Sequence, residues 1–410
     1  SNNSIFYIND IVTGSSSYDY FNYAFGDNSV IVSNGKIYAI SNDGTLAIYD
    51  LSSEQIDIIE NDSISSGRNH VVRIIDGEVA TYGDNTYGQF GIGDDSSQDK
   101  FVISDEPWGN KDIVKVSTKG DTTYAITNDN ILYAWGRNDK YQVGDGTNID
   151  KMSPVQIMSD VADVEAGLEH VIVLKTNGDV YGWGSNQHKQ VCDNDSTLIT
   201  EPYKIASQAT LIAAGGYHTF YNDSAGTLHG RGFNDSNQVG YPEEVDSPVQ
   251  VECGSYHTVA IDCNGYMYVW GSNSSNQLCA TLPNSAYSTA HPYNTGIIVR
   301  SISAGGNFTA FISDKLYVSN TLKYGSDAYQ EVTNLSDKMI TEMVVGARYS
   351  AVVDSNGALW NFGYMADGNY SSNNLYVAPY ELKYPYSIKQ IDSYRAQTLA
   401  VDELGQVIAW

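Results

Sequence analysis

Four histidines, His70, His170, His218 and His257, form the most conspicuous titratable set in the chain. Catalysis or metal binding would need these imidazoles to converge on one point. Their spacing says the opposite. Each stands three residues after a glycine (Gly67, Gly167, Gly215, Gly254) and heads a short apolar run. Each therefore belongs to a different copy of one unit, and the four are spread apart. The reading is structural: an imidazole that locks its unit by hydrogen bonds. His188, His229 and His291 are isolated and show no ligand spacing. GDGTNID (144–150) and DNDS (193–196) resemble calcium loops loosely, and neither fits the twelve-residue pattern. No Gly-x-Ser-x-Gly, phosphate-loop or His-Glu-x-x-His string occurs. The sequence thus offers no catalytic residue, no metal site and no cofactor, and the chain reads as a non-enzyme.

The aromatics divide in two. Trp135, Trp183 and Trp270, with Tyr82 and Phe362 as substitutes, recur just ahead of a glycine and read as packing between units. Off the template stands Trp108, expected to be exposed. Tyr-rich runs at 15–25 and 361–380 are the best partner-contact candidates, because surface Tyr is a frequent binding anchor. The candidate anchors are Tyr18, Tyr20, Tyr23, Trp108, Tyr364, Tyr370 and Tyr376.

What positions all of these is a repeat. Its clearest copy is AGLEHVIVLKTNGDVYGWGSNQHKQ (166–190). VIVLKT is short and β-branched, so it reads as a strand. Asn177-Gly178 signals a hairpin, since both turn positions need φ > 0. Nine such hairpins are counted, at 26–41, 66–89, 118–142, 166–190, 214–238, 253–277, 304–318, 345–363 and 393–410. The glycine after the aromatic recurs at intervals of 38 to 54 residues. Strand-only units of this period predict an all-β propeller. After each Gln, a polar loop leads to a Pro and a short apolar strand, read as outer: SPVQI (153–157), EPYKI (201–205) and SPVQV (247–251). One closed propeller domain over 1–410 is expected. Residues 1–65 form a degenerate first blade plus closing strand, 66–363 the repeats, and 364–410 a truncated last blade. The N-terminal strand IFYI (5–8) is expected to complete that last blade, which would remove free sheet edges.

Gly-x-x-His, Asn/Asp-Gly, Trp-Gly-x-Asn, Gln-x-Gly and Pro-x-x-Ile/Val together resemble the regulator of chromosome condensation repeat. The resemblance covers most of the chain and is specific in five copies. Later copies depart, with Phe308, Tyr349 and Gln397 in the His slot and Tyr324 and Phe362 in the Trp slot. It implies a β-propeller, usually of seven blades. Members of that family serve as guanine-nucleotide exchange factors, chromatin-binding proteins, ubiquitin-ligase modules and an inhibitor of β-lactamase, all by binding a protein. None of the exchange factor's functional residues carries over to this sequence.

Composition bounds the rest. The 410 residues carry a net charge of −27. Such a surface repels phosphate backbones, so nucleic-acid binding is excluded, whereas a basic partner is favoured. No apolar run of roughly 18 residues exists to span a membrane. Cys192 and Cys279 stand where other copies have Gly91, Gly144 and Gly240. Cys253 and Cys263 lie near opposite ends of one strand, about 33 Å apart, which is too far for a disulfide. Reduced thiols imply the cytoplasm, or a virus particle made there. The chain starts at Ser1 without Met, which implies a removed N-terminal piece. The expected function is a non-enzymatic scaffold whose propeller loops or faces bind a protein. Asn, Ser, Asp, Gly and Tyr richness also suits a virion component recognising a host structure. An exchange factor for a small GTPase is the third reading.

Overall fold

A computed structural model describes residues 64–402, apart from 76, 275, 280–287, 307, 320–328, 347–348, 364–376, 383 and 395–396, together with the strands at 30–33, 36–40, 46–50, 55–59 and 407–409. The chain separates into two compact units, Ser1–Asp62 and Ser63–Trp410. The first contains a four-stranded antiparallel meander of Val30–Ser33, Lys36–Ile40, Leu46–Asp50 and Gln55–Ile59.

The second unit is a β-propeller. Among its described residues eight antiparallel sheets follow one another, at 64–103, 113–158, 161–206, 212–232, 248–298, 301–331, 340–382 and 388–409. With the sheet of the first unit they account for the nine hairpins of the repeat. Eight lies between the seven blades that the resemblance implies and the nine hairpins counted. The inner strands are Ile64–Ser66, Ile113–Ser117, Val161–Ala166, Ile212–Ala214, Pro248–Cys253, Ser301–Ala304, Ile340–Val345 and Ile388–Tyr394. Each packs against the next, and the last packs against the first. IFYI (5–8) lies outside the described residues.

The second strand of each blade explains why blades stack. His170–Lys175 (HVIVLK) is buried on both faces for five of its six residues. Such a strand must be covered on both sides, so apolar clusters fill the seams between neighbouring sheets rather than one central core. Tyr124, Leu132 and Ala134 meet Val164, Val171 and Trp183 at one seam, and Phe220 and Leu228 meet Val251 and Trp270 at another.

One strand differs from the sequence reading. SPVQV (247–251) is not the outer strand of its blade. Pro248–Cys253 pairs with His257–Asp262 as the inner strand of the following sheet. The spacing explains this. Pro154 and Pro202 each lie 13 residues before the glycine of the next Gly-x-x-His, whereas Pro248 lies only 6 before Gly254. A strand that close to the loop has to supply the inner position, and sheet 212–232 keeps three strands.

Candidate functional site

The template residues build clamps across several seams. His170 Nε2 lies 2.9 Å from Thr219 Oγ1 in the next blade, and His257 Nε2 lies 2.8 Å from Thr309 Oγ1. His70 Nε2 lies 3.1 Å from Thr123 Oγ1. The hydroxyls of Thr123 and Thr309 donate to the carbonyls of Gln89 and Gln277, so they can only accept from histidine, and His70 and His257 must carry the proton on Nε2. Indoles repeat the pattern: Trp135 and Trp183 donate Nε1–H to the carbonyls of Gln89 and Gln142, both at 2.8 Å. Burial lowers the imidazole pKa to about 4 for His70 and about 3 for His170, His218 and His257. These rings are neutral, and those of His70, His170 and His257 act as struts, whereas His218 Nε2 is buried without a hydrogen-bond partner.

The glycine of Gly-x-x-His is needed because the ring lies on it. A Cβ at Gly167 would sit 2.2 Å from His170 Cε1. The same logic explains the two buried cysteines. Gly91, Gly144 and Gly240 each face the indole of the following blade, with Cβ positions 2.4 to 2.8 Å from Trp135, Trp183 and Trp270. Cys192 and Cys279 occupy that place where the following blade has no tryptophan. The slot partnered by Cys192 holds Arg231, opposite Thr219. Beyond Cys279, Ser319 Oγ accepts from the Thr309 N–H.

These clamps hold the Gly-x-x-His loops as a collar. Leu168 N–H donates to Gly216 O, Arg68 N–H to Gly120 O and Gly306 N–H to Gly346 O, joining three of the loops to their neighbours. The collar rims the mouth of a cavity of about 980 Å³ that receives residues from all eight sheets. Leu168, His188, Tyr217, Phe233 and Tyr256 line it from the loop end. His188 meets the Tyr217 and Phe233 rings edge-on at 5.6 and 5.0 Å, and Tyr256 is 46% exposed. An apolar, aromatic patch thus stands on a backbone-braced rim.

Inside, the wall is acidic. Asp163, Glu165, Glu252 and Asp392 line it with Lys119. Lys115 pairs with Asp163 and, at 3.0 Å, with Glu165. Burial opposes the Lys115 charge, yet those two carboxylates outweigh it and hold the ammonium above its usual range. Lys119 donates to Ala214 O at 2.7 Å. Burial pushes Glu252 up to about 7, with Glu165 and Asp392 adding to the shift, and pushes Glu342 up to about 7. Cys253 also faces the cavity, but burial raises its thiol to about 12, which removes it as a nucleophile at neutral pH. Among the described residues no group of three His, Cys, Asp or Glu is placed to hold a metal ion. The arrangement is one of binding surface and cavity wall.

Trp108 corrects the sequence reading. It is 7% exposed, with its ring 5.4 Å from Tyr133 and 6.3 Å from Trp135. The 104–112 connection folds it over a seam, so it is no surface anchor. Tyr82 differs from the Trp slots as well: it is 37% exposed and lies against Phe101 of its own sheet. Phe362 is fully buried at its seam. Tyr18, Tyr20, Tyr23, Tyr364, Tyr370 and Tyr376 lie outside the described residues, as does Tyr324. The rim aromatics were missed, although Tyr217 and Tyr256 stand directly before the template His. No helix among the described residues is long and apolar enough to cross a membrane.

The profile of the RCC1-like domain matches residues 23–319. Ultraviolet-B receptor UVR8 of Arabidopsis thaliana is 34% identical over 117 residues, covering 27% of this chain and 26% of the receptor. Regulator of chromosome condensation of Homo sapiens is 29% identical over 119 residues, 27% of each chain. The match thus spans about a quarter of these relatives. Among solved structures, human WBSCR16 superposes with a TM-score of 0.58 at 16% identity, over 85% of this chain and 89% of that one. Prp20p from Saccharomyces cerevisiae, described with its binding to Gsp1p and histones, superposes with 0.58 at 17% identity, over 77% and 88%.

Proposed function

This chain belongs to the RCC1-like domain family, and from that premise we propose that it is a non-enzymatic scaffold that binds a protein at the collar of its propeller. The observation that carries the reading is the rim patch of Leu168, His188, Tyr217, Phe233 and Tyr256, set over a cavity with an acidic wall. Aromatic anchors on a rigid frame lose little entropy on binding and supply most of an interface's energy. The wall beneath favours a partner that brings a basic side chain to the mouth, and the net charge of −27 steers such a partner in. Family relatives that bind proteins support the reading at the level of the fold.

The test compares wild type with a Tyr217→Ala/Tyr256→Ala variant as bait in source lysate, with bound proteins quantified by mass spectrometry. The expected result is a basic partner recovered by wild type and reduced at least tenfold by the variant, at unchanged melting temperature. Equal recovery would move the binding surface elsewhere. Accelerated nucleotide release from a purified GTPase would replace the scaffold by an exchange factor. Capsid or tail proteins recovered in fixed ratio would replace it by a particle component.

A further inference from the structure

Among the described residues two sheets of the propeller, 212–232 and 388–409, have three strands, and the first borders the collar at His188. Sheet 212–232 has three strands, and Leu228–Gly232 is its edge. Residues 233–247 send no backbone hydrogen bond to that edge. They dock sideways instead. The Tyr241 N–H donates to Ala290 O at 2.9 Å, and the Tyr241 ring stacks on His291 at 4.6 Å, both in the outer strand of the next blade. Buried Val245 covers the Leu228 end. No described residue pairs with the Gly230–Gly232 end, and a cleft of about 420 Å³ lies on it, bounded by Lys189 and Asp193 of the preceding blade and by Arg231. This seam is also the one where Arg231 replaces the clamp tryptophan.

Other blades show what such an edge accepts. In four of them an outer strand pairs with the corresponding strand through the same irregularity. Ala134 pairs with Val155 and Gly136 with Lys151. Gly182 pairs with Tyr203 and Gly184 with Ile199. Val269 pairs with Tyr293 and Gly271 with Thr289. Asn361 pairs with Tyr380 and Gly363 with Val377. Each register shift holds a proline, namely Pro154, Pro202, Pro292 or Pro379, and the residue after it re-enters the ladder. Proline has no N–H for a ladder and is tolerated at such a bulge. In sheet 212–232 the equivalent positions are Gly230 and Gly232, fixed by the pairing of Gly232 with His218 and Gly230 with Phe220.

We propose that the Gly230–Gly232 edge binds an extended, proline-containing segment of a partner protein by strand addition, with an acidic residue beside the proline facing Arg231 and Lys189. Main-chain bonds to an open edge supply affinity in this mode, and side chains beside it supply choice. The chain's own occupant of the equivalent slot, LITEPYKIA (198–206), carries Glu201 ahead of Pro202. Arg231 and Lys189 pair with Asp193 and Asp195, whose side chains are 75% and 106% exposed. The Lys189 side chain is itself 51% exposed, so its pair is weak and a ligand carboxylate can exchange into it, whereas Arg231, 23% exposed and bonded to Tyr221 OH, is held in place to receive one.

The experiment titrates the full chain with the synthetic peptide LITEPYKIA, following amide exchange by mass spectrometry and affinity by calorimetry. The proposal expects binding below about 1 mM, slower exchange confined to 228–232, and an affinity loss of about tenfold for Arg231→Gln, for Lys189→Gln and for a peptide with Gln in place of its Glu. Circular dichroism melts confirm that both variants fold. No binding by the folded protein, or protection elsewhere, such as within 180–206 by strand exchange, would overturn it. So would a concentration-dependent dimer that protects 228–232 without peptide, since a second copy would then be the occupant. None of these outcomes depends on the rim aromatics, so this proposal and the collar reading fail separately.

Discussion

Ser-Pro-Val-Gln occurs twice in this chain, at 153–156 and 247–250, and the fold uses it in opposite places. The first copy lies in Lys151–Met158, the outermost strand of its sheet. The second opens Pro248–Cys253, an innermost strand, where Val249 is 60% exposed and Glu252 lines the cavity. Local propensity is identical. What differs is the distance to the next Gly-x-x-His, because the strand entering that loop must pair with the histidine strand that leaves it. Non-local pairing overrides local sequence here, as it commonly does for strands. Among the described residues sheet 212–232 therefore has no outer strand, as sheet 388–409 also has only three, while its seam to the following blade keeps the indole clamp: Trp270 donates Nε1–H to Val239 O at 3.2 Å.

The largest expected effect sharpens that separation of clamp from outer strand. Trp183→Ala, on a neighbour with four strands, and Trp270→Ala, on the three-stranded neighbour, should each cost about 3–5 kcal/mol in denaturant melts. A cost for Trp270 below half that of Trp183 would mean that the clamp depends on the missing strand.

Next comes pH. The four template imidazoles have folded values of about 3 to 4 against an ordinary 6.5. Below pH 6.5 the unfolded chain takes up protons that the folded chain refuses, so stability falls as pH falls, by up to about 1.4 kcal/mol per unit for each ring. Glu252 and Glu342 act with the opposite sign. Folded, they hold protons up to about pH 7, whereas the ordinary value is 4.5, so their contribution falls as pH rises from 4.5 to 7. Four rings against two carboxyls predict a net rise of stability from pH 4.5 to 6.5. A flat or falling melting temperature across that window would break the neutral-strut account.

Thr219→Val should come last, at about 1–3 kcal/mol, because it strands His170 Nε2 in a buried seam. Thr309→Val should cost more, because it removes the bond to the buried Gln277 carbonyl as well as stranding His257 Nε2. Equal costs in thermal melts would show that the bond to Gln277 adds nothing to its seam.

Much of this was legible. The nine hairpins, the His and Trp slots and the all-β class follow from strand period and turn residues alone. The cavity wall was legible in principle too: VADVEA and PVQVEC alternate buried apolar with charged or amide residues, the mark of a strand with one wet face. Trp108 was not, because a residue outside the repeat has no neighbours in the string to say which seam it will cover. SPVQV was misplaced because the string was weighed and the 6-residue interval to Gly254 was not. The cysteines make the same point, since Cys192 and Cys279 make sense only beside the residue that the next blade presents.

Spacing to the loop leaves the Leu228–Gly232 edge without a described pairing strand. Amide hydrogen exchange on the full chain, without ligand, tests it most directly by comparing Leu228–Gly232 with Val180–Ser185. Every second amide of the first strand, those facing outward, should exchange at least about a hundredfold faster than its counterpart in the second, because no described residue pairs with it. Equal protection of the two strands would mean that an outer strand covers 228–232 in solution, and the account would fall with it.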